Sequence, residues 1–160
     1  MNLNFLLFII ILLCGLSQLS ETAYTTSLTT IKIDLQTNKH LVEWTLSIYL
    51  FGLAFGRLVF GILSDKFGRK PCIIAGLIFY IMGCFGCYKS TSIEMLMFFR
   101  FIQSFGVSIG TVIGQSIIRD SFKGPELGRA YSLIGAAIGL FPAIGPLIGG
   151  SIIKFYNWPV

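Results

Sequence analysis

Apolar residues run in long, nearly unbroken windows, not in the alternation of a half-buried strand or the one-sided stripe of a soluble helix. A helix that crosses a bilayer needs about 20 consecutive, mostly apolar residues. Five stretches approach or exceed that length: residues 3–24, 41–63, 71–88, 93–118 and 130–153. The intervals between them are short, apart from a polar stretch over residues 25–40. Trp44 and Trp158, the only tryptophans, fall at predicted helix ends. An interfacial aromatic belt places such rings there. The pattern predicts an all-α membrane protein of five transmembrane helices in a single unit over residues 1–160, with no soluble domain.

Composition agrees with the pattern. Of the 160 residues, 54% are hydrophobic and 12% charged, and the mean hydropathy is +0.81. Soluble domains carry about 25% charged residues, so this chain lacks the polar surface to cover a water-facing core. The net charge of +5 would suit a nucleic-acid partner, but its distribution does not. Lys66, Arg69 and Lys70 lie between the second and third windows, and Arg119, Lys123 and Arg129 between the fourth and fifth. The alternate connections hold Lys32, Lys39 and Lys89, diluted by Asp34 and Glu43. The positive-inside rule puts the two basic loops, and with them the amino terminus, in the cytoplasm. No nucleic acid is expected as a partner; the lipid bilayer is.

The first window has neither the basic leader nor the small-residue cleavage site of a signal peptide, so it is expected to remain as a helix. Cys84 and Cys87 form a C-x-x-C, but it sits in the third window with no second pair or histidine beside it. Small apolar helix residues account for it. The chain shows no nucleophile–base set, no metal cluster and no phosphate-binding G-x-x-x-x-G-K-[ST] loop. It reads as a protein that is not an enzyme and that needs neither metal nor cofactor.

The most informative stretch joins the second and third helices: Gly61-Ile62-Leu63-Ser64-Asp65-Lys66-Phe67-Gly68-Arg69-Lys70-Pro71. Gly61 and Gly68 allow close packing and unusual backbone angles, and Pro71 suits a first helical turn. Asp65 serves no topological purpose; it can accept backbone hydrogen bonds at a helix start or pair with a nearby arginine. A charged turn explains the basic residues but not the whole pattern. The fourth window carries Leu96, Arg100, Gln103, Ser104 and Gly106, with Arg100 a cation inside an apolar helix. An arginine within a membrane helix costs about 2.5–3.5 kcal/mol on insertion scales, so Arg100 is expected to face a wet cavity or a partner, the alternative being snorkelling to the outer interface. The fifth window carries Gly145-Pro146-Leu147-Ile148-Gly149-Gly150, where Pro146 should kink the helix. Gly106, Gly110 and Gly114, with Gly52 and Gly56, form close-packing faces, within the bundle or between copies of it. Glu21 lies in the first helix among Thr22, Tyr24, Thr25 and Thr26. A carboxylate kept from water there takes up and releases protons more readily near neutral pH, provided the helix continues past Ser20.

These motifs resemble those of the major facilitator superfamily. The 61–71 stretch matches its G-x-L-a-D-r-x-G-r-k signature at every main position. Arg100 to Gly106 resembles its R-x-x-Q-G-x-G motif, with Ser104 in place of the first glycine. The segment from Gly145 to Gly150 resembles the G-P-x-x-G-G core of the antiporter motif, although Phe141 and Ser132 stand at two of the upstream glycine positions. The chain as a whole is similar to the first five helices of the Bcr/CflA drug-resistance subfamily. Leu46-Ser47-Ile48-Tyr49, Phe51-Gly52, Phe55-Gly56, Leu19-Ser20 with Tyr24, and Arg119-Asp120 carry that likeness. Members usually hold an aspartate two residues before the tyrosine; here Thr22 is at that place and Glu21 is adjacent. The shift turns the carboxylate by about 100° around the helix.

The resemblance implies a secondary transporter of the inner membrane that exchanges protons for small drug-like molecules. Glu21 would carry protons or bind a cationic substrate, Arg100 would tune that charge, and Tyr24, Tyr49 and Gln103 would line the path. Gly61, Asp65, Gly68, Arg69 and Lys70, together with Asp120, would gate the cytoplasmic side. Gly145, Pro146, Gly149 and Gly150 would form the antiporter-type element. Major facilitators have two six-helix halves, so the chain is expected to be an amino-terminal bundle truncated before helix six, with a missing carboxy-terminal half as partner. An alternative stays open: a non-transporting membrane protein, either an inactive remnant or an accessory partner.

Overall fold

The computed structural model describes the backbone of residues 3–155 and the side chains of residues 7–147. Trp158 lies outside them. Five helices follow one another: α1 (Leu3–Asp34), α2 (Lys39–Phe67), α3 (Arg69–Tyr88), α4 (Ile93–Ser121) and α5 (Pro125–Phe155). All five are long and apolar enough to cross a membrane. The backbone hydrogen bonds of each close within the helix, the one solution open to a separate segment in lipid.

All five helices extend beyond their apolar windows, α1 furthest. The polar stretch 25–40 shrinks to a connection over residues 35–38, because α1 continues ten residues past its expected end. Its threonines do not unwind it: the hydroxyls of Thr22, Thr25 and Thr26 donate to the carbonyls of Gln18, Thr22 and Ala23, each at 2.7 Å. Nor does apolar spacing stop at Tyr24. Tyr24, Leu28, Ile31 and Leu35 recur on one face and pack with Val42, Ile93 and Leu96. Tertiary contact on that face overrides the polar composition of the other. At the far end of the chain Pro125 opens α5 in the first helical turn, five residues before the apolar run. The shortest connection is a single residue, Gly68, between α2 and α3. Its φ of 87° is one that side chains with a Cβ rarely adopt.

Helix α4 is the axle. Arg100, Gln103, Ser104, Gly106, Val107, Ser108, Ile109 and Gly110 are all buried, so the helix is covered on several sides. Glycines set the approach of its neighbours. A Cβ on Gly52 or Gly56 would strike Ser104 or Ser108 and the carbonyls of Phe101 or Phe105, which seats α2 on α4. Gly106 faces the backbone of Gly76 and Tyr80 on α3, and Gly110 faces Leu13 on α1. These glycine faces are consumed inside the bundle. Ser104 fits where the motif has glycine because its hydroxyl turns back onto the Phe101 carbonyl at 2.9 Å. Helix α5 leans mainly on α1, with Gly145 against Thr22 and Gly15 against the ring of Phe141. It remains helical through both Pro142 and Pro146.

The outside reverses the rule for soluble proteins. Phe51, Leu58, Ile62, Ile81 and Leu140 are exposed, whereas Arg100, Gln103, Thr45, Ser104 and Ser108 are buried. Gly52→Leu should force extra atoms into the α2–α4 seam at a cost of about 1–3 kcal/mol, read as a lower thermal unfolding midpoint in detergent. Gly135→Ala, whose added methyl meets nothing within 4 Å, should instead leave the midpoint level or raise it by helix propensity.

Candidate functional site

Four of the five expected pathway residues meet in one cluster. The guanidinium carbon of Arg100 lies 3.7 Å from the ring centre of Tyr24 and 4.2 Å from that of Tyr49, close enough for cation–π attraction on both sides. Arg100 is 2% exposed, so it neither faces a wet cavity directly nor snorkels outward. Each clamp ring is held by its hydroxyl. Thr45 donates its proton to the Val42 carbonyl at 2.6 Å, which leaves Tyr24 the donor in the 2.7 Å bond between Tyr24 and Thr45. Tyr49 donates to the Ser17 carbonyl at 3.1 Å. The rings come from α1 and α2 and the cation from α4, so the cluster locks three helices together.

Gln103, one turn beyond Arg100, accepts from its Nη1 at 2.7 Å. Its own amide donates to the Cys84 sulfur at 3.0 Å. Cys84 therefore has a polar use on α3, while Cys87 packs beside the Tyr24 cluster. The Nε and Nη2 of Arg100 have no hydrogen-bond partner, and no carboxylate among the described residues pairs with it. This is a buried cation satisfied by aromatic faces and one amide.

Glu21 stands apart from the clamp. It sits in the interior of α1, well before that helix ends, and is half-buried. It makes no ion pair among the described residues. On the helical repeat it follows Cys14 and Gln18 at i+7 and i+3, and both of those residues line a cavity of about 250 Å³.

That cavity holds a residue the sequence reading passed over. Arg57 of α2 lines it, together with Thr111, Val112 and Gln115 of α4 and Ile138 of α5. The signal was available: a lone arginine within the apolar window 41–63, subject to the same membrane cost as Arg100. Four helices converge here, which no pattern along one window discloses.

The elements expected on the cytoplasmic side assemble in part. Arg69 at the start of α3 pairs with Asp120 at the end of α4. Asp65 does not join them. It lies within the last turn of α2, makes no hydrogen bond or ion pair among the described residues, and does not cap α3, which starts after Gly68 without a side-chain cap. Of the three charged residues Asp65, Arg69 and Asp120 expected in the gate, only Arg69 and Asp120 pair. Gly61 is helical with open space around its α-carbon, and Lys70 is exposed. In α5, Gly145 makes its close approach to α1. Gly149 and Gly150 are helical, and their surroundings fall outside the described residues.

The family model for the major facilitator superfamily matches residues 10–160. The chain belongs to the major facilitator superfamily. Members of the superfamily are transporters, and the five apolar helices make this one a multi-pass membrane protein. It is 40% identical over 149 residues to an uncharacterized transporter of Rickettsia bellii, covering 92% of this chain and 37% of that protein. It is 33% identical over 135 residues to a bicyclomycin resistance protein homolog of Haemophilus influenzae, covering 84% and 34%. Multidrug resistance protein D of Escherichia coli is 28% identical over 157 residues, covering 98% and 40%. The Bcr/CflA resemblance accords with the bicyclomycin-resistance relative. The chain thus spans 34–40% of the length of these three relatives.

The clamp makes a sharp prediction for stability. Gln103→Leu strips Arg100 of its one hydrogen-bond acceptor and should cost about 2–3 kcal/mol. Adding Arg100→Met to it removes the stranded charge and should recover much of that loss. Thermal unfolding of the two single variants and the double variant, in detergent, reads the coupling; strict additivity would show that the pair is not linked.

Proposed function

We propose that this bundle is the proton- and substrate-handling face of a secondary transporter in the plasma (inner) membrane, one that expels small amphipathic, drug-like molecules in exchange for protons. The observation that carries the reading is the Tyr24–Arg100–Tyr49 clamp, with Glu21 on the same α1 helix one turn beyond the cavity-lining Gln18. A fixed cation in the membrane interior and an unpaired, half-buried carboxylate nearby are a charge set with no structural need for each other. A carboxylate in that setting alternates between protonated and charged forms as its access to water changes. The tyrosines and Gln103 hold Arg100 at a constant depth. The drug-resistance relatives support export as the direction.

In this reading the amino terminus and the 2–3 and 4–5 loops are cytoplasmic, where Lys66, Arg69, Lys70, Arg119, Lys123 and Arg129 cluster. The Arg69–Asp120 pair, with Gly61, Asp65, Gly68 and Lys70 beside it, gates that side. Asp65 and the open face at Gly61 are then free to meet a second bundle, against which this one rocks around the central cavity. In α5, Gly145 lets that helix sit close to α1 at Thr22, and Pro146, Gly149 and Gly150 continue the antiporter-type element.

The test is dye export from cells that lack their own exporters and express this protein from its full natural reading frame. Uncoupler-sensitive efflux of an amphipathic fluorescent dye is expected. Glu21→Gln should reduce that efflux by at least about tenfold, the scale of losing an essential proton carrier, while its level in the membrane is unchanged. Undiminished efflux in that variant would remove Glu21 from the coupling step. No efflux from the unaltered protein, despite full insertion, would instead mark a non-transporting membrane protein.

A further inference from the structure

Arg57 stands ten residues before the end of α2 at Phe67, about 15 Å along the helix axis. That is too deep for its guanidinium to reach the basic turn at Gly68. Unlike Arg100 it is exposed, yet its surroundings are not lipid alone: it lines the 250 Å³ cavity between α1, α2, α4 and α5. Its charge is unanswered, since no acidic residue lines the cavity and no carboxylate among the described residues pairs with it. A cation at this depth calls for an anion.

Of the other polar groups around it, the two amides point the same way and Thr111 does not. The Thr111 hydroxyl donates to the Ser108 carbonyl at 2.9 Å, so it offers the cavity only lone pairs. The side-chain amides of Gln18 and Gln115 bring N–H donors from two sides and make no side-chain hydrogen bond among the described residues. Val112 and Ile138 supply an apolar wall. A guanidinium fork binds a two-oxygen anionic head through parallel charge-assisted bonds, and the low dielectric around it strengthens them.

We propose that the cavity at Arg57 is the recognition site for a small amphipathic organic anion, with its carboxylate-type head on Arg57, Gln18 and Gln115 and its apolar body against Val112 and Ile138. The proposal rests on the transporter reading and narrows its substrate: the cavity repels organic cations. It also frees Glu21, which does not line the cavity, to handle protons alone.

Benzoate is the probe, with benzamide and benzylamine as its neutral and cationic counterparts. Each is titrated against the purified protein in phosphatidylcholine nanodiscs, with binding followed by ligand-detected magnetic resonance. Benzoate should bind at least about tenfold more tightly than either counterpart. Arg57→Gln should erase that preference and Arg57→Lys should retain part of it. Gln115→Glu leaves Arg57 in place but sets a carboxylate beside it, and should abolish benzoate binding while the helical content stays constant. It decides the matter even if Arg57→Gln does not insert. Equal binding of the three probes, no benzoate binding to the unaltered protein, or benzoate binding that survives Gln115→Glu would each overturn the proposal. The measurement is at equilibrium and needs no flux. A protein that binds benzoate but moves no dye under a proton gradient would refute the transport reading and leave the anion site standing.

Discussion

A guanidinium sealed between two tyrosine rings is the constraint around which this bundle is arranged. In lipid a polar group finds no solvent to fall back on, so Arg100 can exist at its depth only if the protein surrounds it. Its neighbours come from three different helices, and each is itself pinned: Tyr24 by Thr45, Tyr49 by the Ser17 carbonyl, and Gln103 by Cys84. The consequence is geometric. A change in the separation of α1, α2 and α4 must open the clamp, and an open clamp exposes a charge. The cluster therefore couples local electrostatics to the shape of the whole bundle.

Close helix approach is what makes such a clamp affordable, and glycine supplies it. Helix α4 is flanked by α2 through Gly52 and Gly56 and by α3 through Gly76, Gly83 and its own Gly106. Helix α1 takes α5 in the same manner, through Gly15 and Gly145. The two pairings mirror each other: the first helix holds the fifth, and the fourth holds the second. This is the arrangement expected when two three-helix units interlock, as in the nested inverted repeats of major facilitator halves. The cavity opens where the four paired helices converge, and its polar lining comes from α1, α2 and α4.

Much of this was legible in the residues, and what was not has a common cause. Window length placed five helices, and the spacing of Gly106, Gly110 and Gly114 marked the close-packed faces of α4. The clustered basic loops and the 61–71 signature pointed to the family. The misreadings concern what neighbours supply. Residues 25–34 look polar alone, yet Leu28 and Ile31 meet Val42 and Leu96 and keep α1 helical. Asp65 looked like a cap or a partner for an arginine and makes neither contact among the described residues, whereas the pairing of Arg69 with Asp120 forms as the resemblance implied. Arg57 sat in an apolar window with nothing beside it to flag its use, because its cavity companions lie on three other helices.

The two membrane arginines divide their duties by burial. Arg100 is closed off and has exchanged water for aromatic faces, so its charge is fixed in place and acts on its surroundings as a constant field. Arg57 is open to the cavity, so its charge can be answered by whatever enters. One carboxylate, Glu21, lies on α1 a turn from Gln18 and makes no ion pair among the described residues. Two fixed positive charges against that one carboxylate leave the helix interiors with an excess of positive charge. An anionic solute at Arg57, as proposed, would lower the electrostatic penalty of that excess. The sign of the solute that suits the proposed site thus follows from the placement of the charges.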